Sequence, residues 1–241
     1  MEQKWKLVES MGLTAQEIMT KDFELLNQLD SDSPMILHLY EWATPSLTYG
    51  YFINPNTHLN LEVLQKEGIA FAKRPTGGGI IFHLCDFAFS LLIPAHYPCI
   101  KINPLDNYYY INRQISNIVR QLTQKEDSIE LLKQSNPFTH SKVDAFCMAK
   151  PTQYDIILEG KKIGGAAQRK TKKGILHQGS LSLKPLPETL LKKVLTEPQE
   201  VFPCMQEESG FLIENSDISI EEMRKALKFL LKRQMNHFFT F

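Results

Sequence analysis

Two short glycine-rich segments, each with a cationic residue beside it, contain the residue types that could perform chemistry. The first runs Arg74-Pro-Thr-Gly-Gly-Gly79-Ile-Ile-Phe-His83. Consecutive glycines cost backbone entropy in a strand, so they are expected where the main chain approaches a ligand closely and its N–H groups can hold an anion or a carbonyl oxygen. With Arg74 and His83 beside it, this segment fits a pocket for an acyl phosphate or a carboxylate.

The second segment, Glu159-Gly-Lys-Lys162-Ile-Gly-Gly-Ala-Ala-Gln168, places a lysine just before a run of small residues. An ammonium group beside an acyl carbonyl would polarise it and stabilise the oxyanion that develops there. Each segment alone also fits a plainer interpretation, a flexible hairpin turn or a solvated surface lysine. Two such segments in one chain favour a shared site.

The two segments resemble signature motifs of the biotin/lipoate protein ligase superfamily, in its lipoate-ligase and octanoyltransferase branches. Arg74 to His83 is similar to the motif Arg-x-[Ser/Thr]-Gly-Gly-Gly-x-x-x-His, and Gly160 to Gln168 to Gly-x-Lys-[Ile/Val]-x-Gly-[Ser/Ala]-Ala-Gln. Gly174 to Leu181 is similar to Gly-x-x-x-x-Gly-[Ser/Thr]-Leu, and Leu47 to Gly50 to an upstream strand of the same fold. The matches occur in order along the chain.

The resemblance implies an α+β fold with a central mixed β-sheet flanked by helices. It also implies that an acyl chain lies in an apolar tunnel between the two glycine-rich segments, with Lys162 at the acyl carbonyl. The positions that it assigns to substrate binding are Arg74, Thr76, Gly77, Gly78, Gly79, Ile80, Ile81, Phe82, His83, Gly164, Gly165, Ala166, Ala167, Gln168, His177 and Gly179.

One cysteine distinguishes the two branches. The segment Cys147-Met-Ala-Lys-Pro-Thr-Gln-Tyr-Asp155 resembles the Cys-x-x-x-Pro-[Ser/Thr]-x-Tyr-[Asp/Glu] pattern of octanoyltransferases that pass the acyl group through a cysteine thioester. Lipoate ligases usually carry an Asn-Asp pair ahead of the strand that contains the lysine. A thiolate is a strong nucleophile, and an ammonium such as that of Lys162 would favour it. A lone cysteine is more often apolar filler, but within the matched pattern we interpret Cys147 as the nucleophile.

The resemblance therefore implies an enzyme that transfers an octanoyl or lipoyl group to a lysine of a lipoyl domain, with Cys147 and Lys162 as catalytic residues. The implied donor is octanoyl-acyl carrier protein. The implied acceptors are the lipoyl domains of 2-oxoacid dehydrogenases or the glycine-cleavage H protein. In this reading no cofactor and no metal is required.

Two alternatives remain open. The first is an ATP-dependent lipoate–protein ligase that works through lipoyl-AMP, uses ATP and Mg²⁺, and keeps Cys147 as a structural residue. The second is a degenerate, non-catalytic member that only binds acyl or lipoyl ligands. It is motivated by Leu84, which replaces the Asp that commonly follows the motif histidine, and by Gln178, which replaces the His that commonly precedes Gly179.

The elements that must position these residues can be predicted from capping boxes and hydrophobic periodicity. The predicted helices cover 14–30, 61–66, 107–122 and 188–196, with a last one from 219. The predicted strands cover 35–42, 47–50, two within 69–83, 87–93, 154–158 and 174–183, and residues 159–161 are expected to form a hairpin turn. Residues 123–146 are expected to form a mobile loop. Strands and helices without regular alternation indicate an α+β domain.

Composition bounds the class of protein. The chain has 241 residues with 43% hydrophobic content, which is enough for one well-packed catalytic domain. Lys+Arg and Asp+Glu both total 27, so there is no global attraction to nucleic acid or to an anionic membrane. The longest apolar run, 87–95, is too short to span a bilayer. The four scattered cysteines fit a reducing, cytoplasmic setting.

The predicted domain organisation is a catalytic domain over 1–205 and a C-terminal helical extension over 206–241 packed on it. Two helices and a connecting loop are expected after Leu181, which is too little for a second core. The expected lack of an accessory domain favours a transferase, or a ligase that is assisted by another subunit.

Overall fold

The computed structural model describes residues 5–125, 127–135, 142–213 and 217–238. The strands in chain order are β1 (Trp5–Leu13), β2 (Met35–Trp42), β3 (Ser46–Tyr49), β4 (Ala70–Lys73), β5 (Ile80–His83), β6 (Asp86–Pro94), β7 (Ile129–Leu131), β8 (Ile156–Leu158), β9 (Lys161–Lys170) and β10 (Gly174–Ser182). The α-helices are α1 (Ala15–Gln28), α2 (Leu61–Lys66), α3 (Pro104–Thr123), α4 (Glu188–Val194), α5 (Pro198–Glu208) and α6 (Ile220–Met235).

The strands form two mixed sheets. The large sheet has seven strands in the order β1-β2-β6-β10-β9-β8-β7, and the small sheet has three in the order β4-β3-β5. The β1–β2 and β3–β4 pairs are parallel, and the remaining pairs are antiparallel. The prediction of an α+β fold with a central mixed sheet flanked by helices is confirmed.

One face of the large sheet packs against α3 and α6. Side chains alternate along a strand, and every second residue of β6 enters this core, from Phe87 to Ile93. The helices contribute the apolar residues Ile111, Ile115, Ile118, Val119, Met223, Leu227, Leu231 and Met235. Apolar side chains of the 206–241 segment therefore share the core of the large sheet.

Helix α1 lies against the opposite face of the large sheet and also touches the small sheet. Its buried residues Ala15, Ile18 and Met19 pack with Tyr40 of β2 and with Ala72 of β4. The helix begins at a capping box, in which the Glu17 carboxylate accepts hydrogen bonds from the backbone N–H (2.8 Å) and hydroxyl (2.7 Å) of Thr14. Helix α1 thus connects the two sheets.

A second apolar cluster holds the small sheet to α2, α4 and α5. Leu47, Ile80 and Phe82 of the small sheet pack in it with the following buried residues: Leu64, Phe146, Leu191, Val194, Val201 and Met205. Among the described helices, none is both long and apolar enough to cross a membrane.

Most predicted elements are confirmed to within a few residues, but the predictions were wrong for β1, for β7 and for the number of helices after β10. Strand β1 was not predicted, because it is an edge strand without clear alternation. Strand β7 lies within the segment predicted as a loop, of which residues 126 and 136–141 fall outside the described residues. Three helices rather than two follow β10. Helix α5 was not predicted because it contains Pro203, and an internal proline argues against a helix at the level of sequence. Strands β4 and β5 do not form a hairpin with each other, since both pair with β3.

The capping box of α1 can be tested by substitution. Thr14→Ala removes the side-chain acceptor for the Glu17 N–H, and we expect a loss of about 1 kcal/mol in the free energy of unfolding. Thr14→Ser, which keeps the hydroxyl, should unfold close to the parent in urea denaturation followed by circular dichroism. Equal losses in both variants would contradict the capping role.

Candidate functional site

Two of the three glycines of the first segment lie in close contact with neighbouring groups. A Cβ on Gly79 would lie 2.4 Å from the carbonyl oxygen of Ala145, and one on Gly50, next to β3, would lie 1.9 Å from that of Gly78, whereas one on Gly77 would meet nothing within 4 Å. Gly78 has a φ of 82°, which L-residues rarely adopt. The cluster is a loop between β4 and β5, and it is not a hairpin turn because both strands pair with β3.

The Arg74 side chain organises this loop from below. It is buried, and its Nη2 donates to the carbonyl oxygens of Gly77 (3.1 Å) and Gly79 (2.5 Å). Its Nη1 donates to the carbonyl oxygen (3.1 Å) and the hydroxyl (2.8 Å) of Thr48 on β3. Burial lowers the pKa of Arg74, while the nearby Cys147 and Tyr40 oppose that shift. Arg74 thus connects the glycine loop to β3.

Ala167 of β9 faces the glycine loop. A Cβ placed on Gly78 would lie 3.2 Å from the Cβ of Ala167, 3.2 Å from Nη2 of Arg74 and 4.0 Å from Sγ of Cys147. The structure therefore brings together one member of each segment that was singled out from the sequence. Gly78 itself is exposed, so the Cys147 thiol lies just beneath the surface at this point.

Cys147 is held by β5. Its backbone N–H donates to the carbonyl oxygen of Ile80 (3.2 Å), next to a bridge between Ile80 and Phe146. The residue is half-buried, so its thiol remains accessible. The proximity of Cys147 raises the pKa of both Arg74 and Lys162, so both cations lie near this residue.

Lys162 forms a buried ion pair. Its Nζ lies 2.6 Å from Oδ2 of Asp155, and the two side chains are only 4% and 1% exposed. The same Nζ donates to the carbonyl oxygen of Cys147 at 2.7 Å. Burial alone would lower the pKa of Lys162, but the Asp155 carboxylate and Cys147 outweigh it, so the pKa is raised. Lys162 is therefore a fixed cation beside the nucleophile candidate.

Asp155 was not predicted as a site residue. Its Oδ2 also accepts from the N–H (2.7 Å) and hydroxyl (2.9 Å) of Thr152, and its Oδ1 accepts from the Tyr108 hydroxyl (2.5 Å). A Cβ on Gly165 would lie 2.6 Å from Oδ1 of Asp155 and 3.1 Å from Cε of Lys162. The available signal was the acidic last position of the Cys-x-x-x-Pro pattern, which we had used only to identify the branch.

Gln178 connects the glycine loop to α1. It accepts a hydrogen bond from the hydroxyl of Thr76 (2.7 Å) and donates one from Nε2 to Oδ2 of Asp22 on α1 (2.6 Å). The Asp22 carboxylate is fully buried and also contacts His38 Nδ1 (2.7 Å) and the Ser90 hydroxyl (2.6 Å). The residue that departs from the family pattern thus anchors the loop through a continuous buried network.

The histidine of the first motif has a carboxylate partner at a different position from the usual one. His83 Nδ1 is hydrogen-bonded to Oδ2 of Asp86 (2.7 Å) and its Nε2 to the hydroxyl of Thr48 (2.8 Å). The ring stacks on Trp42 at a centroid distance of 4.4 Å. Asp86, three residues after His83, supplies a carboxylate that Leu84 cannot. The sequence analysis did not identify it.

Five predicted binding residues lie on the face of the large sheet that packs against α3, away from the glycine loop. They are Gly164, Ala166, Gln168, His177 and Gly179. Nε2 of Gln168 donates to Nδ1 of His177 (2.9 Å), and the His177 ring packs beside Phe89 and Tyr108 under α3. Burial lowers the pKa of His177 to about 3, so this ring is uncharged at neutral pH. A Cβ on Gly179 would lie 2.5 Å from the Phe89 ring.

An apolar cavity of about 390 Å³ lies between β5, β10 and the α4–α5 pair. Its apolar wall includes Ile80, Ile81, Phe82, Met148, Phe202 and Met205, and its polar wall includes Ser180 and Asp86. Ligand sites typically measure about 300–1,000 Å³. Its lining includes Ile80, the first residue of β5 after the glycine loop, and Met148, which follows Cys147 in the chain, but none of the small residues 164–167 of β9, so it does not lie between the two glycine-rich segments as expected. Within the described ranges, no group of three or more His, Cys, Asp or Glu residues is arranged to hold a metal ion.

Comparisons with known proteins identify relatives of this site. A family model described as "Lipoyl protein ligase A/B catalytic domain" matches residues 14–228. The chain is 28% identical to octanoyltransferase LipM of Bacillus subtilis, over 93% of this chain and 84% of the relative. It is 27% identical to octanoyltransferase LipM of Kyrpidia tusciae, over 78% of this chain and 69% of the relative.

The fold also matches solved structures. A crystal structure of lipoate-protein ligase A bound with ATP aligns with a TM-score of 0.71, at 24% identity, over 98% of this chain and 86% of the other. At this identity the likeness establishes the fold.

The buried ion pair generates a prediction about stability. Asp155→Asn leaves the Lys162 ammonium buried without its counter-charge, and we expect a loss of about 3–5 kcal/mol in the free energy of unfolding. The double variant Asp155→Asn/Lys162→Met removes both charges and should recover most of that loss in urea denaturation. A single variant that loses less than about 1 kcal/mol would contradict the account.

The network at Gln178 generates another prediction. Gln178→Leu leaves the Thr76 hydroxyl and the Asp22 carboxylate without a buried partner, and we expect a loss of about 1–3 kcal/mol in the free energy of unfolding. The exposed Gln65→Leu serves as the matched control and should stay within about 0.5 kcal/mol of the parent. Indistinguishable unfolding of the two variants would disprove the anchoring role.

Proposed function

The chain belongs to the lipoyl protein ligase A/B catalytic-domain family, and we propose that it acts there as an octanoyltransferase with Cys147 as nucleophile. It is an enzyme that transfers an acyl group to a lipoyl domain. One observation carries the choice of nucleophile: the Cys147 thiol lies against the glycine loop and within electrostatic range of both Arg74 and Lys162. A flanking cation favours the thiolate, which is the reactive form.

Transfer takes place in two steps. The Cys147 thiolate attacks the carbonyl carbon of an octanoyl thioester, a new C–S bond forms, and the donor thiol leaves with a proton. The amine of the acceptor lysine then attacks the acyl-enzyme, an amide bond forms, and the Cys147 thiol is released. Both steps pass through a tetrahedral oxyanion, so the same stabilising groups serve twice.

Lys162 is placed to stabilise that oxyanion. An ammonium group has three N–H donors, and within the described structure two are directed to Asp155 Oδ2 and to the carbonyl oxygen of Cys147. We propose that the third donates to an acyl oxygen bound at the sulfur. Because Asp155 fixes the ammonium in place, the donor needs no reorientation during the reaction.

The apolar cavity suits a medium-length saturated tail. Its wall begins at Ile80, the residue that holds the Cys147 backbone, and continues along Ile81 and Phe82. Each methylene that leaves water contributes about 0.8 kcal/mol. Six methylenes and a methyl therefore contribute enough to favour an octanoyl tail over much shorter chains.

In this proposal the reaction requires neither ATP nor Mg²⁺. A ligase would need cations free to contact a nucleotide phosphate. Both terminal nitrogens of Arg74 are already occupied by loop carbonyls and by Thr48. This occupancy favours the transferase over the ATP-dependent ligase.

The two departures from the family motif also support an active enzyme. Gln178 accepts a hydrogen bond from Thr76, and Asp86 is hydrogen-bonded to His83. The motif residues Thr76 and His83 therefore keep polar partners despite the departures at positions 178 and 84. We propose octanoyl-acyl carrier protein as the donor. As acceptors we propose the lipoyl domains of 2-oxoacid dehydrogenases or the glycine-cleavage H protein.

Intact-mass analysis after mixing with octanoyl-acyl carrier protein tests the proposal. The parent enzyme should gain one octanoyl group, and Cys147→Ala should gain none and transfer none to an apo lipoyl domain. Cys204→Ala, a matched change at another half-buried cysteine, should be acylated like the parent.

Two other outcomes would replace the proposal. Equal product from the parent and from Cys147→Ala with free lipoate and MgATP would identify a ligase. Binding of octanoate or lipoate with no product under either condition would identify a non-catalytic member.

A further inference from the structure

An exposed aromatic pair follows β3. The Phe52 side chain is 89% exposed and that of Tyr51 is 48% exposed, and their rings meet edge to face at 5.2 Å. A phenylalanine side chain that is almost fully exposed does not contribute to the stability of the fold through burial. Clustered exposed aromatics are typical of protein interaction sites.

This pair lies at the rim of the reactive centre. The backbone N–H of Tyr51 donates to the carbonyl oxygen of Thr76 in the glycine loop at 2.9 Å. The neighbouring Gly50 packs under the carbonyl oxygen of Gly78, and Gly78 is the exposed residue beneath which the Cys147 sulfur lies. A protein that delivers a side chain to this sulfur past Gly78 therefore comes close to the aromatic pair.

Two cations surround the same aromatic rings. Nζ of Lys73 lies 4.2 Å from the centroid of the Tyr51 ring. The guanidinium carbon of Arg169 lies 5.8 Å from that centroid and 5.0 Å from that of Phe23. Within the described part of the chain, neither cation forms an ion pair with a carboxylate. We call Phe23, Tyr51, Phe52, Lys73 and Arg169 the rim patch.

We propose that the rim patch is the docking surface for the acceptor lipoyl domain, and that this domain presents carboxylates to the two cations. This inference rests on the proposed function. Charge complementarity argues for an acidic surface. Arg169 donates one hydrogen bond to the carbonyl oxygen of Pro75 (3.0 Å), but neither Arg169 nor Lys73 is neutralised by a carboxylate of the described residues, so both favour carboxylates on the incoming protein. The exposed Phe52 supplies an apolar anchor at the centre of the contact.

Geometry argues for the acceptor rather than the donor. A lysine side chain is short, so the acceptor domain must press its surface against the residues around the sulfur. A carrier protein delivers its thioester on a long pantetheine arm, and its body can remain farther away. The rim patch, which adjoins the sulfur, is therefore assigned to the acceptor domain.

The experiment separates the two half-reactions. The enzyme is first acylated with octanoyl-pantetheine, a small donor that needs no docking surface, and the acyl-enzyme is then mixed with an apo lipoyl domain. Phe52→Ser and Lys73→Glu should each slow acyl transfer to the domain by about tenfold or more at subsaturating domain. Their acylation by octanoyl-pantetheine and their cleavage by hydroxylamine should match the parent.

Matched controls come from α6. Phe229 is 65% exposed and Lys225 is an exposed lysine one turn away. Phe229→Ser and Lys225→Glu change the same residue types away from the rim patch and should transfer at the parent rate. Transfer by the parent should also weaken as salt increases, and Lys73→Glu should lose part of that dependence.

Each contrary result identifies a different failure. Parent-like transfer by both Phe52→Ser and Lys73→Glu would overturn the docking surface while the acyl-enzyme still forms. Normal transfer to the lipoyl domain with slow acylation by octanoyl-acyl carrier protein would assign the patch to the donor and also overturn it. A parent enzyme that neither octanoyl-pantetheine nor octanoyl-acyl carrier protein acylates would refute the proposed function itself.

Discussion

The reactive centre depends on an ammonium held inside the protein by a carboxylate. An unpaired charge at such depth would cost several kcal/mol, so Lys162 can stay charged beside Cys147 only because Asp155 lies against it. Asp155 in turn is held by Thr152 and Tyr108. Tyr108 belongs to α3, so the position of a helix in the large-sheet core is tied directly to the geometry of the site. Fold stability and reactivity therefore share one network.

Close approach of two backbones is the second constraint. The lysine and the carboxylate can lie over β9 only because Gly165 has no side chain, and the glycine loop can reach Ala167 only because Gly78 has none. The same loop is pinned from below by Arg74 and from the side by Gln178. Arg74 and Gln178 thus fix the course of the loop through hydrogen bonds to it, which suits a site that must orient a carbonyl.

Elements with strong local signals could be predicted from the chain alone. Thr14 and Ser219 start helices because a hydroxyl and a carboxylate three residues apart satisfy backbone donors locally. Strand β1 could not be predicted in this way, because an edge strand is stabilised by its parallel partner and needs no alternation of its own. The pairing of β4 and β5 with β3 could not be predicted from the sequence either, because it depends on contacts between residues that are far apart in the chain.

For the site, residue type and spacing supplied the family resemblance, and the resemblance implies acyl transfer: a cysteine, a lysine and two runs of small residues occur in the order of the family motifs. Which residues share a face was decided only in three dimensions. Gln168 and His177 belong to matched motifs, yet strand alternation and the register of β9 with β10 direct them under α3. Asp155 and Asp86 became important because folding placed each of them against a buried base. A linear pattern records which groups are available, and burial with pairing decides which of them act together.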